Sequence, residues 1–266
     1  MAKRFSIKQQ TGFTTIAFAC FFLLYLPIAV LVIYAFNESS SVSDWGGFSL
    51  RWFAAAWSNQ QVVDASWRSL KIASSAAIIA TIAATMAALA TTRTQAYRGL
   101  TFKYAFINQP LMVPEIVTGV ALLIFFAQIK IASGYTGLGY LIAAHTAFCI
   151  PFAYLPIRAR LENMDLTLER AAADLYATPW KAFRRVTLPL LWPGIIAGLM
   201  LAFVISLDDV VITEFVKSGG QDTLPTYMLG QIRRGITPEV NAISTVFLLL
   251  SVVIVTLFFF MSRKRD

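Results

Sequence analysis

Six stretches of this chain are apolar over the length a bilayer demands, and that decides its class before any motif is read. A helix needs about 20 residues to cross the hydrocarbon layer. Such runs lie near 13–36, 69–91, 104–128, 137–157, 193–217 and 239–261. Inside a membrane each backbone polar group must be paired within the protein, so runs of this kind are helices. The chain is 14% charged, where soluble domains carry about a quarter. These features predict an all-α membrane protein, a single transmembrane domain over residues 1–266.

The runs differ in character. The second is rich in alanine (Ala76, Ala77, Ala80, Ala83, Ala84, Ala87 and Ala88), which suits close helix contact. The third holds Pro110 and Pro114, so a kink or break is expected there. The fifth is expected to open with Pro193 at its first helical position; Gly194 and Gly198 follow in a small-xxx-small spacing. The first run is too long for a signal-peptide core and lacks a small-x-small exit, so it reads as a retained span. The stretch 37–66 carries Trp45, Trp52, Phe53 and Trp57 and is expected to hold a short interfacial helix.

Basic residues set the orientation. With the N-terminus in the cytoplasm, the inner segments hold Lys3, Arg4, Lys8, Arg93, Arg98, Lys103, Arg158, Arg160, Arg170, Lys181, Arg184, Arg185, Arg263, Lys264 and Arg265. That is 15 of the 22 Lys and Arg residues. The positive-inside rule then places both termini in the cytoplasm. The net charge of +8 is thus a topology signal and gives no ground for nucleic-acid binding. Cys20 and Cys149 lie inside apolar runs, and no Cys/His set has metal-ligand spacing. No catalytic constellation is visible, and an intramembrane enzyme is disfavoured.

A polar connection at about 158–192 separates the fourth and fifth runs. Thr167 is placed to cap a helix starting at Leu168, with Glu169 in its first turn. Thr178-Pro179 is a second start signal, and Leu188-Pro189 is expected to end that second helix. Two short helices joined by a sharp turn result. They form either an unpartnered amphipathic loop or a rigid knob for a cytoplasmic partner.

Three acids fall inside apolar runs: Glu115, Asp208 and Asp209. An Asp at a span centre costs about 2.5–3.5 kcal/mol. Such groups either face a wet cation pathway or are neutralised by a structural partner, with Arg68 and Lys71 as candidates. Carboxylates without matching intramembrane cations suit an organic cation better than an anion. Trp52 is either a cation–π contact at the outer entrance or an interface anchor. His145, the single histidine, reads as a helix–helix hydrogen bonder rather than a proton carrier.

The segment Glu169-Arg170-Ala171-Ala172-Ala173-Asp174-Leu175-Tyr176-Ala177-Thr178-Pro179, closed by Val186-Thr187-Leu188-Pro189, resembles the "EAA" loop of ABC-importer permeases. Arg170 stands where that family usually has Glu, and Tyr176 where it has Gly. A left-handed turn is costly for Tyr, so a different backbone path is expected at the joint. Further motifs are similar to the second permease subunit of spermidine/putrescine ABC importers. These are Pro114-Glu115-Ile116-Val117, His145-Thr146-x-Phe148-Cys149-x-Pro151-Phe152, Ser206-Leu207-Asp208-Asp209-Val210-Val211-Ile212-Thr213-x-Phe215, Thr223-Leu224-Pro225 and Thr237-Pro238-Glu239-Val240-Asn241-Ala242.

That resemblance implies a type I importer permease in the bacterial inner membrane, with a coupling helix between spans four and five. It implies a polyamine route lined by Trp52, Glu115, Ser206, Asp208 and Asp209. It implies ATPase docking through Glu169, Arg170, Ala171, Ala172, Asp174, Leu175, Tyr176, Ala177 and Pro179. The implied partners are a homologous permease, two ATP-binding subunits, a periplasmic substrate-binding protein and membrane lipid. The chain has no G-x-x-x-x-G-K-[ST], so no cofactor is expected on it; ATP and Mg belong to the separate ATPase. A permease for another organic amine and an ion-coupled carrier without ATPase are the alternatives.

Overall fold

The computed structural model describes residues 12–41, 44–93, 98–235 and 237–263. Lys3, Arg4, Lys8, Lys264 and Arg265, used above for orientation, lie outside the described residues. Among the described residues there is no strand beyond an isolated bridge between Asn37 and Phe48. Among the described residues, six helical segments are long and apolar enough to cross a membrane: Phe13–Tyr34, Gln60–Thr92, Glu115–Ser133, Gly139–Glu162, Pro179–Asp208 and Pro238–Leu257. The chain divides into two compact units, Met1–Gln60 with Met228–Leu250 and Gln61–Tyr227 with Ser251–Asp266.

In the first unit, helix α1 (Phe13–Tyr34) has no buried residue. A helix that is apolar all round suits lipid on its exposed sides. The connection that follows is built on Asn37, whose side chain donates to the Asp44 carbonyl at 2.7 Å and accepts from Gly46 N at 2.8 Å. The expected short aromatic helix is α2 (Arg51–Ser58).

In the second unit, α3 (Gln60–Thr92) begins nine residues before the expected start at 69, because Val62 and Ala65 extend its buried stripe. Ala76, Ala77, Ala80, Ala84 and Ala88 are fully buried along it. The third run is two helices, α4 (Leu100–Met112) and α5 (Glu115–Ser133). Val113 is extended between them and Pro114 caps α5. Pro110 lies inside α4, so the break belongs to Pro114, as the constraint on a residue preceding proline requires.

Helix α6 (Gly139–Glu162) packs along α9 (Leu188–Asp208). Gly194 and Gly198 are the contact points. A Cβ on Gly194 would meet Arg160 Cβ at 2.7 Å, and one on Gly198 would meet the Ala153 carbonyl at 2.7 Å. The small-xxx-small spacing therefore lets two backbones approach.

Between α6 and α9 lie α7 (Thr167–Asp174) and α8 (Pro179–Ala182), then a π-helical turn (Phe183–Thr187). Three expectations are corrected here. Thr167 does not cap α7; the helix starts at Thr167, and Asp165 Oδ1 accepts its N–H at 2.9 Å. Leu188-Pro189 does not end the second helix. The π-turn widens the coil, and Pro189 sits in the first turn of α9, where its missing N–H is no loss. Pro193 accordingly lies inside α9 rather than at its start. The last helices are α10 (Val211–Val216), α11 (Leu224–Arg234) and α12 (Pro238–Arg263).

Candidate substrate route and coupling segment

Two helix breaks place the intramembrane acids. Glu115 is the first residue of α5, half-buried, where a carboxylate suits the positive end of the helix dipole. Asp208 ends α9, Asp209 is extended, and α10 begins at Val211. Helix α5 packs against α10, and a Cβ on Gly119, one turn beyond Glu115, would meet the Phe215 ring of α10 at 2.6 Å. The helices that follow the two breaks therefore pack against each other.

The adjacent aspartates have different surroundings. Asp208 is exposed. Asp209 is only 6% exposed. Its Oδ1 accepts from Ile212 N at 3.2 Å, and its Oδ2 accepts from Thr213 N and Thr213 Oγ1, each at 2.8 Å. Asp209 thus acts as the N-terminal cap of α10, taking up N–H groups a helix start leaves unpaired. Ser206 is also buried, with Oγ 2.8 Å from His145 Nδ1. The other imidazole nitrogen lies 2.9 Å from Thr213 Oγ1 and 3.4 Å from Asp209 Oδ2. Among the described residues, no Lys or Arg forms an ion pair with Glu115, Asp208 or Asp209. Arg68 instead donates to the Asp222 carbonyl at 2.7 Å.

Trp52 belongs to the first unit. Its indole N–H donates to the Asn37 carbonyl at 2.9 Å, and the Arg51 guanidinium lies 4.3 Å from its ring centroid. Trp52 is half-buried, held by that hydrogen bond and by the stacked guanidinium.

The segment after α6 is a hinged pair of helices with a firm base. Backbone bonding at the C-terminus of α7 has the Schellman pattern: Tyr176 N donates to Ala173 O at 2.9 Å and Ala177 N to Ala172 O at 3.0 Å. Tyr176 has φ 58°, so it adopts the left-handed conformation that the sequence argued against. The two hydrogen bonds offset a cost of about 1–2 kcal/mol. Thr178 Oγ1 accepts from Lys181 N at 3.4 Å, with Pro179 at the start of α8 as expected. Thr167 N holds the Asp165 carboxyl below the usual carboxylate range.

Glu169 points into the protein. Its Oε1 accepts from Arg93 Nε at 3.1 Å and from Thr187 Oγ1 at 3.0 Å. Ala172 and Ala177 are half-buried; Arg170, Ala171, Asp174 and Pro179 are exposed. The largest exposed groups are Leu175 at 82%, Tyr176 at 96% and Trp180 at 66%. These three are large apolar or aromatic side chains exposed on a polar connection. Sequence reasoning missed Trp180, Arg93, Thr187 and Thr213. Thr213 could have been found, since Asp209 followed by an apolar run is a helix-start signal.

Residues 101–264 match the family of binding-protein-dependent transport system inner membrane components. The chain is 40% identical over 231 residues to the putrescine transport system permease protein PotI of Escherichia coli K12, covering 86% of this chain and 82% of that one. It is 35% identical over 263 residues to the spermidine/putrescine transport system permease protein PotC of Haemophilus influenzae, covering 99% of each. Its fold is similar to a chain of a bacterial alginate ABC transporter solved with its periplasmic protein. There the TM-score is 0.72 at 16% identity, over 94% of this chain and 93% of that one. The MetNI methionine ABC transporter gives a TM-score of 0.66 at 17% identity, over 77% and 95%. The chain therefore belongs to the inner membrane components of binding-protein-dependent transport systems, as a multi-pass ABC-importer permease with the type I fold rather than an enzyme.

Proposed function

We propose that this chain forms, with a homologous permease, the membrane route for putrescine or spermidine in an ATP-driven importer. Permeases of this family work with another permease, an ATPase and a binding protein, and membership decides against an ion-coupled carrier. The finer assembly in this reading is two copies of the ATPase, which carry ATP and Mg, and a periplasmic protein that delivers the amine.

One observation carries the reading. Glu115 stands at the break before α5 and Asp208 and Asp209 at the break before α10, α5 and α10 pack together, and no Lys or Arg among the described residues is in ion-pair contact with these acids. Carboxylates at membrane depth without a Lys or Arg partner attract a cation and repel an anion. In this reading Glu115 and Asp208 face the amine, and Ser206 and Asp209 frame the break that holds them. Trp52 offers a π face, worth about 0.5–2 kcal/mol to an ammonium group. The exposed Leu175 and Tyr176, with Arg170, Ala171, Asp174 and Pro179, would dock into a groove on the ATPase. Ala172, Ala177 and Glu169 would set the shape of that knob. Both termini and the knob lie on the cytoplasmic side.

The test is uptake by the assembled importer in liposomes with internal ATP. Labelled putrescine or spermidine should accumulate and sulfate should not. Sulfate uptake without amine uptake would reject the reading.

A further inference from the structure

The buried imidazole of His145 has no part in the transport reading above, yet it joins three helices. It projects from α6, is 1% exposed, and touches Ser206 of α9 and both Thr213 and Asp209 around the start of α10. The direction of these bonds follows from donor and acceptor chemistry. The Thr213 hydroxyl donates to Asp209 Oδ2, since a carboxylate accepts. Its oxygen therefore meets His145 Nε2 as an acceptor, and Nε2 carries a proton. In the neutral ring Nδ1 is then a lone pair, and the Ser206 hydroxyl donates to it. One chain of donors results, Ser206 to His145 to Thr213 to Asp209, with each member satisfied.

The chain crosses the point where backbone hydrogen bonding stops. Asp209 is extended at ψ 131° between α9 and α10, so no helical ladder ties the last turn of α9 to the first turn of α10. The imidazole does so from a third helix. A satisfied polar network in a low-dielectric site is rigid, and a half-satisfied one is costly. An apolar residue could fill the same volume but could not bond to both sides of the break.

We infer that His145 is a positioning residue for the substrate route: it staples α9 to α10 across the break and so fixes how Asp208 is presented. The inference rests on the reading of Asp208 as a group that meets the amine. It also divides the two aspartates by duty, Asp208 for contact and Asp209 for the frame.

Two measurements on the assembled importer in liposomes test it. The first is putrescine uptake kinetics. His145→Leu removes both bonding edges at similar volume; His145→Gln keeps an amide N–H for Thr213. His145→Leu should raise KM about fivefold or more, the size expected for loss of a buried hydrogen bond. His145→Gln should recover most of that loss. An unchanged KM in His145→Leu, or no recovery in His145→Gln, overturns the inference. If His145→Leu does not assemble, Ser206→Ala and Thr213→Val break one side each and should raise KM in the same direction; no rise in either overturns it.

The second measurement does not depend on the substrate. With Cys20→Ser and Cys149→Ala as background, Asp208→Cys is modified with a cationic methanethiosulfonate. Adding His145→Gln should leave the rate within about twofold, and adding His145→Leu should change it about fivefold or more. Equal rates in all three reject the positioning role even where amine uptake is normal. A changed rate in a complex that imports no polyamine rejects only the substrate reading.

Discussion

Arg93 Nε lies 3.1 Å from Glu169 Oε1, and this ion pair ties the end of α3 to the first turn of α7. Both side chains are mostly buried, at 18% and 24% exposure. Arg93 also donates to the Leu161 carbonyl at 3.1 Å, and Glu169 accepts from Thr187 at 3.0 Å. The ends of α3 and α6, the helix α7 and the π-turn thus converge on two side chains. In the proposed reading, this anchor would pass a push from an ATPase to the membrane helices.

Breaking that anchor should loosen the transmission without removing the docking surface. Pairs at this exposure contribute about 1 kcal/mol, more when one buried charge is left alone. Arg93→Ala should lower ATP-coupled uptake several-fold while complex yield stays near normal. The exchange Arg93→Glu with Glu169→Arg should recover part of the loss. Uptake in the exchanged pair no better than in Arg93→Ala would remove the ion pair from the account.

Tyr176 tests stability against function at one position. Tyr176→Gly relieves the left-handed strain and should protect the α7–α8 joint by up to about 1 kcal/mol in hydrogen exchange. The same change removes a ring that is 96% exposed. Coupled uptake should fall even as protection rises. A rise in both would mean the ring does not dock.

Leu175 is 82% exposed beside it. Leu175→Glu puts a charge where an apolar groove is expected. Stimulation of ATP hydrolysis by the liganded binding protein should drop at least about tenfold, the effect of about 1.4 kcal/mol or more. Normal stimulation would argue against docking through this knob.

Asp208→Asn keeps shape and removes charge at the exposed carboxylate. Amine KM should rise about tenfold, while assembly and thermal stability remain, because among the described residues Asp208 makes no side-chain hydrogen bond comparable to those of Asp209. Asp209→Asn should instead lower stability, because it weakens the cap of α10. The two variants separate contact from frame.

Much of the fold was legible because bilayer physics acts locally. The run Phe13–Tyr34 announces a span by length and apolarity alone, and Pro114 announces a break because it restricts its own neighbour. Pro189 misled for the same local reason: the π-turn before it realigns the chain, and nothing in Val186-Thr187-Leu188-Pro189 signals that turn. Tyr176 misled because backbone hydrogen bonds outweigh the residue preference for φ. In the site, the acids were visible as charges in apolar runs. Their partners were not. Arg93 and Glu169 are 76 residues apart, and His145 lies 61 from Ser206 and 68 from Thr213. Pairings at that separation come from helix packing, which one sequence does not display.

The most direct measurement is putrescine uptake by the complete importer in liposomes, with binding protein outside and ATP either enclosed or withheld. Accumulation that requires ATP, falls with Leu175→Glu and shows a raised KM with Asp208→Asn is the predicted result. Accumulation that persists without ATP, or is untouched by both substitutions, would contradict an acidic route moved by a cytoplasmic motor.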